Sequence, residues 1–450
     1  MTDLRTRFGR SIALIAASLL AGAAHAQQDG AYDPGFGNVG RAWIDVTPST
    51  QDRGATLIRL PNGNFFMGGA CGLVACAAWL TPSGALAAGY GTSGTGSASF
   101  SAFSGWPTDE NGIYDAAAFS DGRVAVALNR ATTGVGYVAV LRADGTALDP
   151  EVGNGFGYVS PSFVVRLLRI TPQQKVIVVG RNTASPFALV FARYDSTMHL
   201  DTSFGTSGTT TIGFSAGNTF PQGMRLQKDG KIVVIATVGV TATSTRALGI
   251  VRLTVDGDPD PDFGINSDGR FLSAFGNTTG GVQGTDIAVD KQGRLVIVGE
   301  SETDIGDGEW FVDRLLGGGA TDPSFNGGQP HKYTVFVSST NYEPAPCCVG
   351  LQNDGRILVA GTMDRADLYD KYFAMSRFTD DGNFDYSFGI EGQSYGDMTY
   401  EANATGDSPE AMVIVPGGAV IAGATAVNNS ENRFSATKVM LDPLFASDFE

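Results

Sequence analysis

Histidine is nearly missing from this chain: its 450 residues hold three, His25, His199 and His331. A Ser-His-Asp arrangement or a multi-histidine zinc site would have to be built from the last two. Both fall in stretches that read as surface loops, so neither chemistry is expected. Charge is sparse as well, with Asp, Glu, Lys and Arg making up 17% of the residues. Disordered tails and coiled coils carry more charge and fewer aromatic and β-branched residues. The 30 basic residues stand against 46 acidic ones, for a net charge of −16, and form no cluster. Nucleic-acid binding rests on clustered Lys and Arg, so no nucleic-acid partner is expected. No C-x-x-C of a redox enzyme occurs. The glycine-rich strings GYGTSGTGSAS from Gly89 and GNTTGG from Gly276 lack the Lys of a phosphate loop and open no helix, so they read as turns. No stretch downstream of the start sustains a helical period with caps.

Long apolar runs are absent beyond the start. The string Ile232 to Val240 is of strand length, far short of the ~20 residues of a membrane helix. The start differs: Arg5, Arg7 and Arg10 precede an apolar run from Ile12 to Ala24 that ends in Ala24, His25, Ala26. A basic opening, a short apolar run and an A-x-A ending are the features of a cleaved secretory signal. The expected organisation is a signal over 1–26, a repeat domain over 27–442 and a tail over 443–450. The protein is expected to be exported to the periplasm, cell surface or exterior, with no transmembrane segment after cleavage.

What the chain does have is a period near sixty residues. A turn followed by an apolar strand recurs at Gly63, Gly122, Gln174, Gly230, Gly293, Gly355 and Gly418, in steps of 59, 52, 56, 63, 62 and 63. A second landmark, an Asp three residues before an aromatic and a Gly, keeps the same step. It is full at Asp33 and Phe36, Asp201 and Phe204, Asp260 and Phe263, and Asp385 and Phe388. It is weaker at Ala87 and Tyr90, Asp149 and Val152, and Asp322 and Phe325. Two landmarks with one period are the mark of a solenoid or a propeller.

Each unit reads as about four strands around an Asp-Gly or Asn-Gly hairpin. The strands after the hairpins, such as Val176 to Val179 and Leu295 to Val298, are apolar at nearly every position. A strand with one wet face would alternate, so these must be covered on both sides. Small sheets packed face to face around an axis do that, which favours an all-β, seven-bladed β-propeller over a solenoid, whose coils are usually shorter. The chain opens with a strand from Val39 to Val46 that has no hairpin before it and closes with one from Phe434 to Met440. The two ends are expected to share one blade and close the ring.

Units such as LQKDGKIVVIA…RALGIVRLTVDGDPDPDFG and LQNDGRILVAG…YFAMSRFTDDGNFDYSFG resemble the delta-60 repeat, a bacterial β-propeller family without an assigned function. The resemblance runs over residues 31 to 442. It implies an exported seven-bladed propeller and supplies no catalytic residue.

Arg142, Arg193, Arg252, Arg314 and Arg377 precede Asp149, Asp201, Asp260, Asp322 and Asp385 by seven or eight residues. Repetition in nearly every unit points to structure, each Arg forking onto its own turn carboxylate or the neighbouring blade. The alternating Asp256, Asp258, Asp260 and Asp262 invite a calcium reading, but the EF-hand Gly and Glu are missing from their places. Asp304, Asp307 and Glu309 form a second acidic loop. No cofactor is expected. Cys71 and Cys76 bracket a strand connection and suit a disulfide, while the adjacent Cys347 and Cys348 are either a strained vicinal bridge or two buried thiols. The function expected is that of a non-enzymatic scaffold for a protein, glycan or other ligand that the residues do not specify. The alternative is a metal-assisted hydrolase or lyase with a carboxylate-bound divalent cation in the axial channel.

Overall fold

The computed structural model describes residues 29–441 apart from 48–50, 107–109, 216, 241–244, 274–280, 303–307, 336–344, 366–369, 397, 399–405 and 429–430. The expected signal and tail, most of the Gly276 string, Asp304 and Asp307 lie outside the described residues.

The protein is a seven-bladed β-propeller made of seven four-stranded antiparallel sheets. Blade 1 holds Asp52–Arg59, Phe65–Cys71, Val74–Leu80 and Ser97–Ser99, counted from the axis outwards. Blade 4, a regular copy, holds Thr219–Leu226, Ile232–Val240, Thr245–Leu253 and Arg270–Ser273. The hairpins between first and second strands need a residue at positive φ. Gly63, Gly122, Gly230, Gly293 and Gly355 supply it, and Gln174 does so at 61°. In the seventh blade the positive φ falls on Gly417, one residue ahead of Gly418.

Seven apolar clusters fill the seven interfaces between blades. Alternate residues of one strand serve different clusters: Val176 and Val178 pack toward blade 2, Ile177 and Val179 toward blade 4. This two-sided burial accounts for the unbroken apolar strings. Burying each such side chain is worth about 1.5–3 kcal/mol.

The ring is closed by strand exchange. Arg41–Ile44 is the outer strand of blade 7 and pairs with Glu431–Met440, with Ala42 opposite Ala436. The sheet runs on through Gly418–Asn428 to Gly406–Val415 at the axis. Among the described residues no helix is long and apolar enough to cross a membrane.

Candidate functional site: outer turns and axial channel

Two rings of residues run around the propeller, and only one repeats. In the outer ring Arg193, Arg252, Arg314 and Arg377 lie on third strands. Each donates Nε–H to the carboxylate eight residues on: Asp201 (2.7 Å), Asp260 (2.5 Å), Asp322 (2.7 Å) and Asp385 (2.8 Å). Each guanidinium also sits over a buried turn phenylalanine, Phe204, Phe263, Phe325 or Phe388, at 4.7–5.0 Å from the ring centre. The far end crosses to the next blade. Arg193 reaches the Val255 carbonyl (2.7 Å), Arg252 that of Gly317, Arg314 that of Asp380, and Arg377 the Asp29 carboxylate (2.5 Å).

A second cation, which sequence reasoning missed, holds the same carboxylates from the hairpin. Lys175, Lys231, Arg294 and Arg356 lie 2.6, 3.0, 3.6 and 3.4 Å from Asp201, Asp260, Asp322 and Asp385. The signal was a basic residue one past the turn position in five hairpins, Arg123 included. Lys175, with the Ser203 hydroxyl, holds Asp201 far below the usual carboxylate range. At Asp260, Asp322 and Asp385 burial pushes the carboxyl up, but hydrogen bonds from Lys231, Ser324 and Ser387 and the arginines outweigh it, and all three are lowered.

Arg142 departs from the expectation. It lies one residue past its strand, Gly136–Leu141, and seven rather than eight residues before Asp149, so it is exposed and forms no ion pair with that carboxylate. Arg123 takes the role, with Nη1 at 2.8 Å from Asp149. At the ring closure Lys438 pairs with Asp33 at 2.7 Å.

The residue after each turn aromatic, or after Val152 in its place, donates its N–H across an interface. Gly37 bonds to Ser83, Gly91 to Asp144, Gly153 to Thr197, Gly205 to Asp256, Gly264 to Gly318, Asn326 to Asp381 and Gly389 to Asp29, at 2.6–3.2 Å. Where the aromatic is Phe, its ring packs on a glycine of the next blade. A Cβ on Gly257 would meet the Phe204 ring at 2.7 Å, and one on Gly382 the Phe325 ring at 2.8 Å. The weak copies compensate in volume. Val152, small and fully buried, faces a blade where Met198 replaces that glycine, and both share one cluster. Tyr90 is half-buried, and Trp79 fills the place, stacked on Tyr90 and closing on Gly145.

Other candidates are placed as follows. Cys71 and Cys76 are bridged across the second hairpin of blade 1, with Cα atoms 5.8 Å apart, and Cys347 is bridged to Cys348. Asp256, Asp258 and Asp262 are exposed, whereas Asp260 is taken by Arg252 and Lys231, so the four do not converge. Among the described residues no three His, Cys, Asp or Glu side chains gather as a metal group. His199 is an exposed turn residue beside Asp195. His331 corrects the loop expectation: it opens the strand His331–Tyr333, with Nδ1 2.7 Å from the Gly382 carbonyl and its ring edge-on to Phe378 and Phe384.

The inner ring lines a cavity of about 660 Å³ on the axis. Every first strand carries a β-bulge at the same register, so each blade places one unopposed residue there. They are Ala55, Tyr114, Arg166, Gln222, Thr285, Cys347 and Glu410, and all seven line the cavity. A bulge re-aims a side chain that the ladder would otherwise direct at a neighbouring sheet. No two of these residues are alike. Behind them Asp115 accepts from Arg169 (2.8 Å) and from the Leu168 N–H (2.8 Å), and Asp286 from Arg225 (2.9 Å) and the Val349 N–H (3.0 Å), tying blades together. Among the described residues the cavity lining holds four basic residues, Arg166, Arg169, Arg225 and Lys371, and three acidic ones, Asp115, Asp286 and Glu410.

Comparison with known proteins adds the following. The profile of a family described as a domain of unknown function, DUF5122, of β-propeller type matches residues 227–263 and 352–388. Both stretches run from a hairpin to an Asp-x-x-Phe turn. No curated protein matches the sequence. Among solved structures the chain is similar to a Dyadobacter fermentans protein of unknown function, with 9% identity, 91% of this chain and 100% of that chain covered, and a TM-score of 0.46. It is also similar to the α-L-arabinofuranosidase Arb93A of Fusarium graminearum, with 11% identity, 89% and 97% covered, and a TM-score of 0.40. A calcium-binding protein, regucalcin, from Agrobacterium tumefaciens matches with 12% identity, 73% and 92% covered, and a TM-score of 0.36.

Proposed function

We propose that the protein is an exported, non-enzymatic ligand-binding scaffold of delta-60 repeats whose binding site is the axial channel. The observation that carries this is the contrast at one register: the scaffold repeats in every blade, while the seven bulge residues facing the cavity all differ. Function on a repeat scaffold resides where the repeat is broken. The acidic residues of the channel also favour binding over metal-assisted hydrolysis. Asp115 and Asp286 are engaged by arginines and backbone N–H groups, which leaves Glu410, among the described residues of the lining, without a second open carboxylate to share a cation. Export is supported by the basic and apolar opening of the chain and by two disulfides, which persist in oxidising compartments.

The test is a thermal-shift screen of the mature chain against sugars, sugar acids, amino acids and short peptides, run beside Ala55→Trp, which sets a large side chain into the cavity. Stabilisation by a compound in the parent and its loss in the plugged variant are expected. Compounds that stabilise both equally would overturn the channel as the site. Calcium and chelator arms address the alternative: the scaffold predicts the same midpoint in both, and a calcium-dependent rise would favour the hydrolase or lyase.

A further inference from the structure

Three cations of the first strands line the channel, and one differs from the other two. Arg169 and Arg225 are each closed by a carboxylate. Arg166 is not: among the described residues no carboxylate lies within ion-pairing distance of it, and its guanidinium carbon sits 5.2 Å from the Tyr114 ring centre. Stacking on an aromatic face fixes the plane of a guanidinium while leaving its in-plane N–H donors open for a bidentate carboxylate. Glu410, three blades away around the ring, is exposed to the same cavity, whose walls desolvate and raise its carboxyl against a hydrogen bond from Ser408 and the fields of Arg166 and Arg53. It feels Arg166 and forms no ion pair with it, so a gap separates a prepared donor from a prepared acceptor.

From this geometry we infer that the channel takes a small organic acid that also carries a hydrogen-bond donor, its carboxylate on Arg166 and its donor toward Glu410. The inference rests on the channel being the binding site. The donor is a hydroxyl in sugar acids and an ammonium in amino acids, and Glu410 separates the two. Replacing its charge should cost an ammonium ligand affinity, whereas a hydroxyl acid should bind as well or better once the repulsion between carboxylates is gone.

The experiment is calorimetric titration of the mature chain with D-galacturonate, D-galactose and L-alanine, repeated on Arg166→Leu, Glu410→Gln and the Ala55→Trp plug. Unchanged thermal midpoints in the two channel-charge variants verify folding. One acid is expected to bind, galactose not to bind, and Arg166→Leu to weaken the acid by about 10-fold to 100-fold, the worth of a charge-assisted pair. Acid binding that survives Arg166→Leu, or galactose binding as well as galacturonate, would overturn the inference. If neither acid binds but a neutral compound does so in a plug-sensitive way, the channel stands as a site and this assignment of its ligand falls. No plug-sensitive binding of anything defeats both.

Discussion

The outer and inner rings of the propeller use the same amino acids for opposite ends. Arg314 is buried, forks onto Asp322, covers Phe325 and reaches the Asp380 carbonyl of the next blade. Arg166 is exposed to the channel and has a tyrosine ring for a partner. Each blade needs its outer turn to hold the neighbouring blade, so the turn is copied with its charges cancelled on the spot. The bulge carries no such duty, and its residue is free to differ. A repeat protein thus separates folding from recognition by radius, and the difference can be measured by making matched changes in the two rings.

The largest effect is expected at the closure. Deleting residues 29–47 removes the outer strand of blade 7 together with the Gly389–Asp29 and Gly37–Ser83 links. The exposed sheet edge and two unsealed interfaces should abolish the cooperative transition, visible in calorimetry as a broadened or missing unfolding peak. A sharp transition at the parent midpoint would show that the closure is dispensable. Next comes Phe263→Ala, which empties a fully buried site under Arg252 and should cost about 3–5 kcal/mol. Arg314→Gln should cost a similar ~3–5 kcal/mol, because it removes the cation that bonds buried Asp322 directly and leaves that carboxylate Ser324 and the more distant Arg294. Denaturant titration of both against the parent checks this, and a loss under 1 kcal/mol would place the energy of the outer ring elsewhere.

Acid should dissolve the outer ring selectively. Asp201, Asp260, Asp322 and Asp385 have folded pKa values lowered from 3.8. Their stabilisation is therefore present above the unfolded value and lost as pH falls through the lower folded ones, so the midpoint should drop steeply below about pH 4. Asp313 works with the reverse sign. Burial lifts its carboxyl to about 6 against a single hydrogen bond from the Arg314 N–H. The folded state binds the proton first, so this group adds stability as pH falls through about 6. Asp313→Asn should accordingly be more stable than the parent at pH 7.5 and lose that advantage near pH 4.5. Equal stability at both pH values would contradict a strained carboxylate at this place.

The outer ring was legible in the sequence because its constraints recur: Asp-x-x-Phe-Gly and the Arg eight residues earlier appear in register. The exceptions were legible too, though their repair was not. Trp79 fills the place left by Tyr90 by closing on Gly145 of the next blade, and Val152 is matched to Met198 of the next blade, so each repair pairs residues of different blades. The one-residue shift of Arg142 off its strand likewise reverses the side it faces. The inner ring was invisible for a more basic reason. A bulge is a mismatch between two strands, so nothing about Arg166 or Glu410 alone marks it as unopposed. Only the pairing of Val165 and Leu167 with Gly180 and Val179, which skips Arg166, shows it.

The smallest effect is the most telling. Arg166→Gln makes the same chemical change as Arg314→Gln, at a residue that is exposed, unpaired with any carboxylate among the described residues and supported by a single tyrosine. Its folding free energy should stay within about 0.5 kcal/mol of the parent, as for surface changes away from buried features. Glu410→Gln should stay within the same ~0.5 kcal/mol, since its side chain is exposed to the channel and forms no ion pair among the described residues. Urea unfolding of the three variants side by side gives the comparison in one measurement. If Arg166→Gln destabilised as much as Arg314→Gln, the bulge ring would be part of the scaffold, and the division of the propeller by radius would fail at the position where it matters most.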